Sequence, residues 1–301
     1  LDIAPDSDKG PLYVEYSVDG VNYTAIGRFE GGGGSIKGDG PMLSTVSFSP
    51  VTSKYFRVVS TTERFISNVY LNTTKRIPGW LKKGNYRNGA WDNPEPKIDI
   101  NRDDVIDSKS VLDITEFVHN GVLSWKAPKG VWKVVRFGHT SIGKLNHSAP
   151  TTGTGLECDK YSKEAFKFHF DKMFEKLLPH FRKLSKGKVG LLIDSYEMGV
   201  QNWTPKLPQE FESRRNYSIV NYLPALTGRI VDSQETSDSF LWDFRTTCAD
   251  MMADNYHGYF AELCKQNGIE SFTEPDGGGP FKEIQVGSKV DTNMGEFWSG
   301  I

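Results

Sequence analysis

The run Val189-Gly190-Leu191-Leu192-Ile193, followed at once by Asp194-Ser195-Tyr196-Glu197, constrains the fold of this chain more than any other stretch. An almost unbroken apolar run of that length, halted by acids, reads as a buried strand of a parallel sheet. Around it the sequence takes a helical period. Upstream, "SKEAFKFHFDKMFEKLLPHFRKL" sets Phe166, Phe170, Met173, Phe174 and Leu177 at helical spacing, with Ser162 placed to cap. Downstream, "PQEFESRRNYSIVNYLPALTG" predicts one or two helices stopped by Gly228. "SFLWDFRTTCADMMADNYHGYFAELCKQNG" predicts a long amphipathic helix ending at Asn267-Gly268. "IESFTEPDGGGP" and "SKVDTNMGEFWSG" predict two further strands with their loops. Strands alternating with helices imply parallel βα units, whose ligand side lies at the C-terminal strand ends. Glu197, Glu274 and Glu296 fall at such ends.

The first part of the chain has a different texture. Residues 11–72 hold short alternating segments, among them "LYVEYSVDG" turning at Asp19-Gly20 into "VNYTAIGRF". "EGGGGSIKGDGP" between strands is too glycine-rich to be a strand interior. This pattern predicts a β-sandwich over residues 1–74. Residues 75–110 are irregular but keep Trp80, Tyr86 and Trp91, which fits a linker wrapped over another surface. Strands return over 111–138, with turns at Asn120-Gly121 and Lys129-Gly130 and "VWKVVRFGHT" as a strong candidate. Residues 111–301 are then expected to form part of a larger βα domain.

Composition excludes several classes. A chain of 301 residues has room for one large domain or two ordinary ones. Net charge is −2 and no basic block occurs, which argues against nucleic-acid binding. No apolar run approaches the roughly 18 residues of a membrane span. Cys158, Cys248 and Cys264 are odd in number and lack C-x-x-C spacing, so ordinary core thiols are expected. The chain opens without Met and stops just after "GEFW", so both ends read as cut.

The chemistry points to carboxylates. No H-x-x-x-H with an intervening Glu and no G-x-S-x-G elbow occurs, which disfavours zinc hydrolases and serine esterases. In "DSYEMGVQNWTP", Glu197 is a candidate general acid in a partly dry strand-end pocket, although an acid opening a solvated loop is the bland alternative. Gln201, Asn202 and Trp203 suit a sugar's hydroxyls and apolar face. "TEPDGGGP" is no phosphate loop; its glycines let the backbone approach a bulky neighbour or ligand. Glu296 in "GEFW" is either a structural hydrogen-bonder or catalytic. Glu157 and Asp159 precede a helix, where the dipole favours acids, or they contact substrate or metal.

Taken together, "GTGLECDKYSKEA", "LLIDSYEMGVQNWTP", "LTGRIV", "FLWDFR", "TEPDGGGP" and "GEFW" resemble glycoside hydrolase family 106, the α-L-rhamnosidases, from about Val105 to Ile301. Residues 11–72 resemble the discoidin-like, galactose-binding-like sandwich of such enzymes. The resemblance implies a (β/α)8-type barrel, here partial, with the sandwich on its N-terminal side. It also implies inversion at a rhamnosyl centre of a plant or microbial glycan, calcium at the site, and a periplasmic or secreted location. Carried onto this sequence, Glu197 is the general acid and Glu296 the base. Glu274 binds sugar or calcium, and Asp194, Asn202 and Trp203 shape the pocket. Family members are longer, with opening barrel strands before the first sandwich and a further acidic strand end after "GEFW". Tyr196 stands where the resemblance leads one to expect Trp. Inversion sets two carboxyls roughly 6.5–9.5 Å apart, whereas a retaining enzyme holds them near 5 Å. A non-catalytic carbohydrate-binding protein is the alternative outside catalysis.

Overall fold

The computed structural model describes residues 2–5, 11–29, 44–63, 66–86, 98–146, 148–276, 278–279 and 281–295. Glu296, Phe297, Trp298 and Trp91 lie outside the described residues. The chain divides into two compact units, residues 1–137 with 217–242, and residues 138–216 with 243–301.

Among the described residues, the first unit carries two three-stranded antiparallel sheets. Strands β1 (Asp2–Pro5), β2 (Leu12–Ser17), β3 (Thr24–Phe29), β4 (Ser44–Thr45), β5 (Tyr55–Ser60) and β6 (Ile66–Tyr70) pair in the orders β4-β1-β6 and β3-β2-β5. Leu12, Val14 and Phe29 form a buried cluster with Val58 of one sheet and Ile66 of the other. The Asp19-Gly20 turn forms as its residues predict. The Asp19 carboxylate accepts from the amides of Val21 and Asn22, both at 2.8 Å. Those amides, Asn22 first, hold its pKa below the usual carboxylate range.

Helix α1 (Trp80–Lys83) and strand β7 (Val105–Ile106) follow. The tight hairpin of β8 (Val118–His119) and β9 (Val122–Leu123) turns on Asn120 and Gly121, at φ 50° and 78°. Beyond it the structure departs from expectation. Residues 131–140 form no strand, and Val131, Val134 and Phe137 are exposed. β-branched and aromatic composition alone does not make a strand; a ladder needs a neighbour, and the described residues supply none here.

The second unit holds α2 (Lys163–Leu184), β10 (Gly190–Ile193) and α3 (Leu207–Arg215). Strand β11 (Ile230–Val231) belongs to the first unit and pairs in parallel with β7. Helix α4 (Gln234–Met251) is divided between the units after Trp242. A π-helical segment, Met252–Gly258, continues it into α5 (Tyr259–Gln266). Then come β12 (Glu270–Thr273), α6 (Glu283–Gly287) and β13 (Thr292–Asn293). Ser162 caps α2 as expected, its hydroxyl accepting from the Ala165 amide at 3.1 Å.

The apolar faces of these helices cover the sheet. Phe166, Phe170 and Leu178 of α2 pack with Leu191 of β10 and with Phe260, Leu263 and Cys264 of α5. Met173 and Leu177, assigned to the same stripe by spacing, are exposed instead. The stripe runs through Leu178, one position on, which a 3.6-residue period permits. Strands β10, β12 and β13 form one parallel sheet in that order. Leu191 points to the face covered by α2 and α5 and is buried, whereas Leu192 points to the opposite face and is 47% exposed. The expected continuous burial of Val189–Ile193 is therefore replaced by alternation.

Candidate active site

Parallel pairing sets the site. Ile193 pairs with Thr273, and Thr273 with Asn293, so all three strands end at one edge. The Glu274 amide donates to the Ile193 carbonyl at 3.0 Å, and the Met294 amide to the Thr273 carbonyl at 2.8 Å. Asp194, Glu274 and Met294 thus leave the sheet side by side. Glu296 lies two positions beyond Met294, outside the described residues.

Past the strand end the chain carries no regular secondary structure as far as Gly199. Asp194 is exposed, Tyr196 buried, Glu197 exposed and Met198 buried. Glu197 was expected to be partly dry; it is exposed, while the neighbouring Tyr196 is buried. The Tyr196 amide donates to the Asp276 carbonyl at 2.8 Å, tying this loop to the one after β12. Glu274 is half-buried, as are Asn202 and Trp203.

Beneath Tyr196 lies a polar centre that the sequence did not announce. Lys160 is 5% exposed and forms an ion pair with Glu157. Its ammonium stands 5.8 Å from the Tyr196 ring and 5.5 Å from the Tyr256 ring. His257, set aside in the sequence, is 2% exposed. Its Nδ1 is 3.3 Å from Thr273 Oγ1. Burial, reinforced by the Lys160 charge, pulls its pKa down to about 4, so the ring is neutral near pH 7. Burial, with Glu157 adding to it, pushes the Tyr196 phenol far above its ordinary value. Among the described residues, Tyr196 Oη and His257 Nε2 are buried without a hydrogen-bond partner. Phe281 lies against both rings, at centroid distances of 5.6 and 6.0 Å.

Asp159 has a fixed role. It accepts from the Tyr161 amide at 3.0 Å, from Thr204 Oγ1 at 2.6 Å, and from Gln201. Gln201 also accepts from the Lys160 amide at 3.3 Å, and the Tyr161 hydroxyl donates to its carbonyl. Gln201, read as a sugar partner, is thus buried and spent on the protein. Asn255 of the π-helical segment donates to the Tyr161 carbonyl at 2.9 Å. The motif "ECDKY" is therefore locked to "VQNWT", although 40 residues separate them in the chain. The i to i+3 spacing of Glu157 and Lys160 was the one signal for the pair; nothing local signalled its burial.

A cleft of about 570 Å³ adjoins this network, lined among others by Tyr161 and Asn255 and by Glu210, Arg214, Asp254 and Lys289. Those four are joined in ion pairs, and none of the carboxylates predicted to act lines the cleft. Among the described residues no three His, Cys, Asp or Glu side chains group to hold a metal. Cys158, Cys248 and Cys264 are free, and no described helix is long and apolar enough to cross a membrane.

Parallel strands with Asp194 and Glu274 at their C-terminal ends fit the class of the glycoside hydrolases, and the family match gives that class. The chain belongs to glycoside hydrolase family 106, described as alpha-L-rhamnosidase, whose profile matches residues 13–300. It is 44% identical over 209 residues to a Formosa agariphila protein named "Putative beta-glucuronidase", a match covering 69% of this chain and 18% of that one. Its structure resembles that of a rhamnosidase from Novosphingobium sp. PP1Y with a TM-score of 0.72 and 26% identity. That likeness covers 96% of this chain and 28% of the other. The chain thus spans under a third of the length of either relative.

Proposed function

We propose that this chain is the acid-bearing part of an enzyme that removes α-L-rhamnosyl residues from glycans with inversion. Support comes from one observation above all: Asp194 and Glu274, and the segment leading to Glu296, leave three parallel strands at one edge. Strands β10 and β13 flank β12, so they stand about 9–10 Å apart. Inversion calls for two carboxyls roughly 6.5–9.5 Å apart with a water between them. In this account Glu197 protonates the leaving oxygen. Glu296 takes a proton from the attacking water. Asn202, Trp203 and Asp194 shape the rhamnosyl pocket. The exposure of Glu197 leaves it free to meet a glycosidic oxygen arriving at the strand end.

The sheet is, in this account, an arc of a (β/α)8-type barrel within residues 111–301. The antiparallel sheets of residues 1–74 form an accessory sandwich, and residues 75–110 link the two. Calcium enters only through Glu274, which offers one hard-oxygen ligand. The described residues alone do not complete a cage, and no step is routed through the ion. A periplasmic or secreted location follows from the family resemblance alone.

A second reading, action on β-glucuronosides, is favoured by the name of the relative at 44% identity. The two readings separate on aryl glycosides offered to the full polypeptide. The rhamnosidase reading predicts release from an aryl α-L-rhamnoside and a loss of about 10²–10⁴-fold in kcat with Glu197→Gln. Release from the β-glucuronide alone, or full activity of Glu197→Gln, would overturn it.

A further inference from the structure

We propose that Tyr196, seated over the Lys160–Glu157 ion pair, is a positioning residue for the general acid Glu197. This rests on the assignment of Glu197 just made. Glu197 follows Tyr196 directly in the chain; Tyr196 is buried and Glu197 exposed, so the anchorage of the ring fixes the backbone from which the acid projects. The Tyr196 ring is held from several directions. The Lys160 ammonium lies 5.8 Å from its centroid, and the Phe281 ring meets it edge-on at 5.6 Å. Its own amide is fixed to Asp276 at 2.8 Å. The hydroxyl adds nothing to this anchorage, since it has no partner among the described residues. The anchor is therefore the ring and the cation beside it.

The buried ion pair also needs an explanation. A lysine 5% exposed is expensive unless its charge is answered, and two rings and one carboxylate answer it here. A pair that only filled space would be replaceable by apolar groups. A pair that grips the ring next to the acid sets where that acid stands, and an ångström of misplacement is felt in the rate rather than in binding.

The test uses the full polypeptide and two aryl α-L-rhamnosides, phenyl and 2,4-dinitrophenyl. The first needs its leaving group protonated; the second does not. Tyr196→Ala is expected to lower kcat on the phenyl glycoside at least about tenfold, with KM changed less than about twofold. On the dinitrophenyl glycoside its kcat should fall less than about threefold. Tyr196→Phe, which keeps the ring, should recover kcat on the phenyl glycoside to within about threefold of the unmodified protein. The double variant Glu157→Gln with Lys160→Met leaves no lone charge and should show the same leaving-group dependence as Tyr196→Ala. Tyr196→Leu replaces Tyr196→Ala if circular dichroism shows that the latter does not fold. Equal losses on both substrates, or none, while Glu197→Gln is leaving-group dependent, would overturn the role of Tyr196 alone. An absence of leaving-group dependence in Glu197→Gln itself would overturn the acid assignment and the positioning role with it.

Discussion

Gly279 lies against the ring of Tyr196: a Cβ there would stand 2.6 Å from Tyr196 Cδ1 and would also collide with Phe281. The "DGGGP" loop is glycine-rich at this point for packing, since no side chain fits between the backbone and the aromatic layer. Gly279→Ala should therefore destabilise the fold by about 1–3 kcal/mol through overpacking. Thermal unfolding of the variant beside Gly278→Ala gives the check. Gly278 has open space around it but a φ of +67°, so its penalty is one of backbone conformation. Enlarging the Tyr196 pocket by Phe281→Leu should restore part of the loss in Gly279→Ala and none in Gly278→Ala.

The Lys160–Glu157 pair makes a second prediction. Lys160→Met strands a carboxylate whose side chain is 17% exposed. Removal of one partner of a buried pair costs about 3–5 kcal/mol, with the lower figure apt here because Glu157 is not fully dry. The double variant with Glu157→Gln should be the more stable of the two. Denaturant midpoints decide it; a double variant no better than Lys160→Met would show that the pair's charge is not what the site feels.

His257 ties stability to pH. Its folded pKa of about 4 lies below the 6.5 of an unperturbed histidine. Below pH 6.5 the unfolded chain binds a proton that the folded chain refuses until about pH 4, so stability is present at neutral pH and declines as pH falls through that window. The size of the loss is on the order of 3 kcal/mol for a ring this deeply buried. His257→Gln should flatten the fall in unfolding temperature between pH 7 and pH 4.5. An unchanged slope would mean that the decline belongs to other groups.

Much of the βα half was legible in sequence, because its signals are periodic and local. Helix α2 with its Phe166 and Phe170 face, its Ser162 cap, the Gly228 stop and the Asn267-Gly268 end all act within one or two turns, although Met173 and Leu177 of the expected stripe are exposed. Short strands at 270–273 and 292–293 also stand where expected and pair in parallel. What failed was non-local. Residues 131–140 are rich in β-branched and aromatic residues, yet a ladder depends on a partner that local pattern cannot specify. The π-helical turn at 252–258 has no sequence mark, although it carries both Asn255 and His257. At the site, the acids at the strand ends were visible as chemistry. The deep pair of Lys160 and Glu157 was not, since burial of a lysine comes from tertiary packing and its residue type predicts the reverse.

The central claim is inversion at a rhamnosyl centre with Glu197 as acid. Proton NMR during hydrolysis of an aryl α-L-rhamnoside by the full polypeptide tests it most directly, through the anomer that appears before mutarotation. The account predicts β-L-rhamnose first, and no such signal with Glu197→Gln over the same interval. α-L-Rhamnose appearing first, or the same β signal from Glu197→Gln, would contradict it.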